Sequence, residues 1–103
     1  IEAVESFTKG LDFESFRKDQ KTNFATIRAL EIIGEAVKNI PKDFRNKYKG
    51  VAWKKIAGTR DKLIHEYFGI DLKLAFKIIQ QDIPALKEKV LEILEELKLK
   101  KLL

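Results

Sequence analysis

Cysteine and methionine are missing from this sequence, and histidine occurs only once. Without cysteine, the chain has neither a catalytic thiol nor a cysteine-based zinc site, and its composition is compatible with an intracellular setting. The lone histidine, His65, is accompanied by scattered carboxylates rather than by further ligands at metal spacing. We therefore predict that the protein binds no metal and no cofactor. The absence of methionine indicates that earlier residues are not represented, and we expect the first helix to be incomplete at its N-terminus.

Long apolar runs are also absent. No stretch approaches the ~20 apolar residues of a membrane-spanning helix, and no signal-peptide pattern opens the chain. We therefore expect a soluble, cytoplasmic protein that does not contact a membrane. At 103 residues and 45% hydrophobic composition, the chain is long enough for a single domain over residues 1–103 with one core. Such a domain needs no support from a disulfide or a metal.

Apolar residues recur at helical spacing through most of the sequence, and no alternation of period two indicates a strand. Pro84 is expected either to kink the helix before it or to begin the next one. Because the connections are short, we predict an all-α fold in which four to five main helices form an up-and-down bundle. The spacing predicts a connector over residues 11–18 and helical segments over residues 1–9, 21–39, 41–48, 53–67, 71–81 and 86–97.

The helix predicted over residues 21–39 is apolar around most of its circumference. A helix of this kind lies at the centre of a bundle or in a dimer interface. Gly34, which weakens a helix interior, is expected to let a neighbouring helix approach closely. Only a narrow strip of this helix is charged. We expect the two carboxylates of the strip, Glu31 and Glu35, to be structural partners of basic residues: Arg28, Lys38 or Arg60.

The helix predicted over residues 53–67 contains an anomaly. At about 100° per residue, its apolar side chains fall within one arc of about 120°, which we interpret as the buried face. Arg60 projects from the middle of this arc, where an ordinary core helix would have leucine or alanine. Because a guanidinium cannot lose its charge, Arg60 requires a carboxylate, a phosphate or a water-filled cleft beside it. The ordinary explanation is a buried ion pair.

Basic residues concentrate around the same helix. The net charge of the chain is +5, and residues 42–62 contain eight basic and two acidic residues, a local charge of +6. A basic field of this kind suits a polyanion such as RNA, because binding releases counterions. The alternative is that the lysines form a solvated face. We predict that four of them contact RNA phosphates: Lys47, Lys49, Lys54 and Lys55.

Arg60 and His65 together suit phosphodiester cleavage in which the 2′-hydroxyl of the RNA attacks. This reaction needs a proton acceptor, a proton donor and a cation over the phosphorane oxygens. His65 can exchange protons near neutral pH, and Arg60 can bind two phosphate oxygens. One histidine does not easily serve both ends of the reaction, and the two side chains diverge by about 140° on a continuous helix. A two-fold axis beside the helix would supply a second histidine, so we predict a homodimer with a shared cleft.

Two neighbours of His65 could assist it. Asp61 lies one helical turn earlier, so its carboxylate can accept a hydrogen bond from the imidazole and hold its tautomer. In the last turn of a helix over residues 53–67, the helix dipole would favour protonated His65, which suits a general acid. The ordinary alternatives are a capping or packing role for His65 and a core-edge aromatic role for Tyr67.

Residues 60–67, Arg-Asp-Lys-Leu-Ile-His-Glu-Tyr, match the R-x4-H-x-Y signature of HEPN-domain ribonucleases, and the chain resembles the HepT-type toxins among them. The resemblance covers most of the chain and implies a HEPN-like helical bundle. One departure is Asp61, where the family more often has asparagine, and its carboxylate places a negative charge near the scissile phosphate. Further stretches that resemble this branch are residues 28–36, 51–58, 67–71 and 81–86.

This resemblance implies a metal-independent endoribonuclease toxin, active as a homodimer, with Arg60 and His65 at a cleft between the protomers. It also implies a partner, the minimal nucleotidyltransferase antitoxin of a type VII-like pair, which silences the toxin by transferring AMP from ATP to Tyr67. Two rival functions stay open. One is a non-catalytic HEPN subunit that binds nucleotide or docks a nucleotidyltransferase, and the other is a helical dimerisation module without a ligand. The intact Arg60 and His65 favour the enzyme.

Overall fold

The computed structural model describes residues 1–65 and 69–102, and of residues 64, 65, 69, 70 and 102 it describes the backbone alone. Apart from two strands of two residues each, the elements are helical, so the predicted all-α fold is confirmed. Strands β1 (Ile64–His65) and β2 (Gly69–Ile70) pair antiparallel between α6 and α7. The helices are α1 (Glu2–Thr8), α2 (Phe13–Lys18), α3 (Gln20–Lys38), α4 (Lys42–Lys47), α5 (Trp53–Ala57), α6 (Thr59–Leu63), α7 (Leu72–Lys77) and α8 (Ile83–Leu102).

The helix predicted over residues 21–39 is α3, and its bounds follow from its caps. The Asp19 carboxylate accepts hydrogen bonds from the Thr22 amide at 3.0 Å and from the Thr22 hydroxyl at 2.7 Å, which stabilises the first turn. The helix ends at Asn39, two residues before Pro41, because the residue that precedes a proline disfavours the helical conformation. α3 contacts α1, α2, α5 and α6, so it is the central helix of the bundle. The centre of the bundle is one of the two positions predicted for this helix.

The predicted connector over residues 11–18 is wrong, because most of it forms α2. The Asp12 side chain caps this helix by accepting a hydrogen bond from the Ser15 amide at 2.8 Å. Gly10 supplies the positive φ, 73°, of the turn that comes before it. Phe16 is fully buried, and its ring centroid lies 5.5 Å from that of Phe76 in α7. This contact with α7 holds a helix that is too short to be stable alone.

Buried side chains form two clusters that meet at α3. The first lies among α1, α2, α3, α6, α7 and the start of α8, and it includes Leu63 and Leu30, which are both fully buried. The second lies between the end of α3, α5 and α8, and it includes Val37 and Trp53. Ile33 of α3 packs against both clusters, which therefore form one connected interior. Among the helices of residues 1–65 and 69–102, none is long and apolar enough to cross a bilayer.

Gly34 brings the backbones of α3 and α5 together. A Cβ atom at Gly34 would lie 3.3 Å from the carbonyl oxygen of Ile56 and 3.7 Å from that of Ala57. The predicted close approach at this glycine is confirmed, and α5 is the helix that approaches. Because α5 leads directly into α6, this contact sets the place of the segment that carries Arg60.

Pro84 does not begin a separate helix. Residues Ile78–Asp82 form a π-helical segment that joins α7 to α8, and Ile83 keeps helical dihedral angles, φ −67° and ψ −45°. Proline has no amide hydrogen, and its ring crowds the carbonyl of the residue four positions earlier, here Gln80. A widened turn accommodates both effects while the chain stays helical.

The single helix predicted over residues 53–67 is wrong. Gly58 separates α5 from α6, with φ −86° and ψ 4° outside the usual helical range. After α6, residues 64 and 65 are extended and pair with residues 70 and 69. Glycine is a weak helix former, so tertiary contacts can end the helix there at low cost. Two strands of two residues are too short to give the alternation that would have indicated them.

Candidate active site

Arg60 lies in α6 and is exposed to solvent. The prediction that Arg60 projects from a buried face is therefore wrong. The buried residues of α6 are Thr59 and Leu63, which lie four residues apart on one side of the helix. Because the dihedral angles of Gly58 interrupt the helix, the arc calculated for a continuous helix does not extend beyond α5. Arg60 consequently needs no buried counter-ion.

The guanidinium of Arg60 makes no ion pair within residues 1–65 and 69–102. Its neighbour Asp61 is also exposed, and no contact joins the two side chains in that part of the chain. An exposed guanidinium without a carboxylate partner can bind two oxygens of a phosphate at once. Arg60 therefore presents a cation that a ligand can use.

His65 follows α6 as the second residue of β1, paired with Gly69. The prediction that His65 lies in the last turn of a helix is wrong, so neither the helix dipole nor helical spacing from Asp61 explains its properties. The hydrogen bond from His65 to Asp61 stays a prediction, since the structure describes only the backbone of His65. Tyr67 lies outside the described residues. The accessibility of its hydroxyl also stays a prediction.

Asp71 ties the end of the hairpin to the end of α6. Its backbone amide donates a hydrogen bond to the Leu63 carbonyl oxygen at 2.8 Å. Its carboxylate accepts a hydrogen bond from the Leu74 amide at 3.0 Å and so caps the N-terminus of α7. The two ends of the 64–70 segment are therefore held together by one residue, a role that the sequence pattern did not indicate.

The two glutamates of α3 lie in different environments. Glu31 accepts a hydrogen bond from Arg28 at 3.2 Å, so its partner is one of the three basic residues predicted for it. Glu35 is exposed and makes no ion pair among the residues that the structure describes. Neither carboxylate neutralises Arg60. Within the same part of the chain, no three side chains of histidine, aspartate or glutamate are grouped so that they could hold a metal ion.

The lysines predicted to bind RNA differ in their surroundings. Lys55 of α5 lies 3.1 Å from the Asp82 carboxylate, whereas its neighbour Lys54 is exposed and makes no such pair among the described residues. Lys47 lies over the ring of Tyr48, with its ammonium 5.7 Å from the ring centroid. A hydrogen bond with Lys100 and the positive charge of Lys100 lower the pKa of Lys47. α8 therefore faces this end of the basic region, which the sequence did not indicate.

Comparison with known proteins gives this arrangement a context. The family model described as "Ribonuclease HepT-like" matches residues 1–93. A protein of Thermococcus cleftensis named "Probable ribonuclease HepT" is 54% identical over 89 residues, which are 86% of this chain and 81% of the relative. A protein of Caldanaerobacter subterraneus, whose name provisionally assigns RNase activity, is 54% identical over 88 residues, 85% of this chain and 79% of the relative. No solved structure matches the chain significantly.

Proposed function

The chain belongs to the HepT-like ribonuclease family, and from this membership we propose that it is an endoribonuclease toxin that cleaves RNA without a metal. We assign the chemistry to Arg60 and His65. The observation that supports this assignment most directly is the state of Arg60, which is exposed and unpaired within the described residues. The backbone of His65 follows in the adjoining strand, tied back to α6 by Asp71.

In the proposed reaction, the 2′-oxygen of a ribose forms a bond to the adjacent phosphorus, and the bond from phosphorus to the 5′-oxygen of the next nucleotide breaks. A base takes the 2′-hydroxyl proton and an acid protonates the departing 5′-oxygen. The products are a 2′,3′-cyclic phosphate and a 5′-hydroxyl. Arg60 binds the nonbridging oxygens, whose negative charge grows in the transition state, and His65 performs one proton transfer.

We further propose that the active form is a homodimer, because one imidazole does not easily perform both proton transfers. The central helix supports this proposal. Phe24 and Ile32 lie eight residues apart on α3 and are 56% and 53% exposed, although they are large and apolar. Light scattering at micromolar concentration should therefore give twice the 11.9 kDa mass of the chain. A fully active monomer would contradict the shared cleft.

The proposed control of the toxin is the transfer of AMP from ATP to Tyr67 by a minimal nucleotidyltransferase antitoxin. Tyr67 lies two residues after His65 in the sequence. An adenylate there would add bulk and an anionic phosphate close to the catalytic residues. The unpaired Arg60 guanidinium could then bind the attached phosphate in place of the substrate phosphate.

The test is incubation of the purified chain with RNA of mixed sequence in the presence of a chelator. Arg60→Ala and His65→Ala should lose activity, whereas Arg17→Ala should keep it, because Arg17 is an exposed arginine of α2 paired with Glu14. Product ends should carry a cyclic phosphate. Equal cleavage by all variants would indicate a contaminating nuclease. The absence of cleavage by the unaltered dimer would favour a non-catalytic subunit.

A further inference from the structure

Three cavities lie in a row where residues 47–62 face the helical region formed by α7, the π-helical segment and α8. Their volumes are about 260, 170 and 100 Å³. Gly50, Val51 and Lys89 line both of the first two cavities. Lys55 and Asp82 line both of the last two. Neighbouring cavities therefore share walls, and we call the three of them together the basic trough.

The lysines that line the basic trough come from both of the regions that face each other across it, residues 47–62 and the helices α7 and α8. Lys55 pairs with Asp82 at 3.1 Å, and Lys89 pairs with Glu92 at 3.6 Å. Glu88 lines the middle cavity, so this middle is close to neutral, whereas Glu92 and Glu96 line the cavity that contains Lys47 and Lys49. The six lysines are Lys47, Lys49, Lys55, Lys62, Lys77 and Lys89.

Positive charge without a partner is found at the two ends of the trough. At one end, Lys62 of α6 and Lys77 of α7 line the smallest cavity, and neither has a carboxylate partner among the described residues. At the other end, Lys47 and Lys49 line the cavity of about 260 Å³ and likewise lack a carboxylate partner in that part of the chain. Glu92 and Glu96 line the same cavity, but they pair with Lys89 and Lys100. Two pairs of cations are therefore separated by the neutral middle.

A second feature marks the end that contains Lys47. Tyr48 lines the same cavity, and its buried hydroxyl has no hydrogen-bond partner among the described residues. A buried hydroxyl without a partner costs free energy. The two lysines of this cavity suit the oxygens of a phosphate.

The geometry of the trough suits an extended polyanion. With a rise of about 1.5 Å per residue, the helical region from Lys77 to Glu96 is about 28 Å long. This length corresponds to on the order of eight phosphates at the duplex spacing of 3.4 Å per strand. Lys62, at one end, lies only two residues after Arg60 in the sequence. Cations set along a line fit a regularly repeated charge better than a compact acidic patch.

We infer that the basic trough holds the sugar–phosphate backbone of the RNA strand that is cleaved at Arg60. Phosphates bind at the two cationic ends, at Lys62 and Lys77 and at Lys47 and Lys49. The inference rests on the proposed function and locates its substrate. Of the four lysines predicted from the sequence to bind RNA, Lys47, Lys49 and Lys55 line the trough, whereas Lys54 does not line any of the three cavities.

The test measures binding of a single-stranded 2′-O-methyl RNA, which lacks the attacking hydroxyl and cannot be cleaved, over a range of salt concentrations. Each lost phosphate contact should reduce the slope of log K against log salt by about 0.7. The variant Lys62→Ala with Lys77→Ala should therefore reduce the slope by about 1.4. The matched control is Lys38→Ala with Lys73→Ala, which removes two exposed lysines from α3 and α7 that lie outside the three cavities.

Equal slopes for the two double variants would overturn the inference, because the trough would then contribute only general charge. Preferential binding of an acidic protein by the same lysines, with no change in RNA binding, would also overturn it. Cleavage of ordinary RNA is measured in parallel. Intact cleavage with an unchanged slope leaves the proposed function standing without the trough. A slope shift without any cleavage supports the trough and contradicts the nuclease.

Discussion

The Asp71 backbone amide donates a hydrogen bond to the Leu63 carbonyl oxygen at 2.8 Å, and this bond joins the start of α7 to the end of α6. Leu63 is fully buried, so the anchor point belongs to the core. Between the two residues lie β1 and β2, whose pairing includes the backbone of His65. The positions of β1 and β2 are therefore set by the helices on either side of them.

The Asp71 cap should affect activity more than other caps do. Asp71→Ala removes the acceptor for the Leu74 amide and should lower the free energy of unfolding by about 1 kcal/mol. Asp12→Ala removes a similar cap from α2, away from the motif, and serves as the control. Urea unfolding should show that the two variants lose similar amounts of unfolding free energy. The rate of RNA cleavage should fall further for Asp71→Ala than for Asp12→Ala. Equal cleavage by the two variants would mean that this cap does not position His65.

Arg60 should matter for chemistry and not for stability. Because it is exposed and unpaired among the described residues, Arg60→Ala should change the free energy of unfolding by no more than about 0.5 kcal/mol. Loss of a group that stabilises transition-state charge typically lowers kcat by about 10²–10³-fold. Arg60→Lys should recover part of this loss, since it keeps the charge without the bidentate geometry. A large loss of stability in urea unfolding would contradict the exposed position.

Gly34→Ala should destabilise the protein although alanine is the better helix former. The added Cβ would lie 3.3 Å from the Ile56 carbonyl oxygen, so α5 would have to shift. Overpacking of this kind typically costs about 1–3 kcal/mol. The control is Gly58→Ala, whose Cβ would lie at an ordinary 3.5 Å from the Lys54 carbonyl oxygen. Thermal unfolding that shows Gly34→Ala to be as stable as the control would contradict the close packing of α3 and α5.

Two helix caps should make stability depend on pH in acid. Hydrogen bonds from Ser15 lower the pKa of Asp12, and hydrogen bonds from Thr22 lower the pKa of Asp19. Because these pKa values are lower in the folded state, the stabilisation is present above the unfolded pKa of about 3.9 and is lost as the pH falls through the folded values. Asp12→Asn with Asp19→Asn should flatten the pH dependence of unfolding below about pH 4. An unchanged acid profile would contradict this contribution.

Tyr67→Phe should remain a folded ribonuclease and escape the antitoxin, since the phenol has no proposed part in proton transfer. In the unaltered chain, AMP on Tyr67 should inhibit competitively with RNA, because the attached phosphate would occupy Arg60. Mass spectrometry of the chain co-expressed with the proposed partner, a minimal nucleotidyltransferase, should locate AMP on Tyr67. Modification at another residue, or ATP-dependent silencing of Tyr67→Phe, would exclude this mechanism.

Features that depend on near neighbours in the chain could be predicted from the sequence alone. Asp71 caps a helix because its own side chain reaches the amide three residues later. The bounds of α3 follow from Pro41 and from a run of apolar residues at helical spacing. Gly34 indicates the close approach of a neighbouring helix, because a glycine inside a helix lowers its stability and therefore needs a packing reason. The motif at Arg60 and His65 likewise identified the family, since it is a pattern of spacing.

Features that depend on distant segments became visible only in the folded chain. Gly58 ends α5 where a local pattern allows the helix to continue, and this break turns Arg60 from the predicted core face to the solvent. Lys55 meets Asp82 across 27 positions of the chain. Periodicity along one helix contains no information about which lysines of another helix lie opposite. The basic trough could therefore appear only when residues 47–62 packed against α7 and α8.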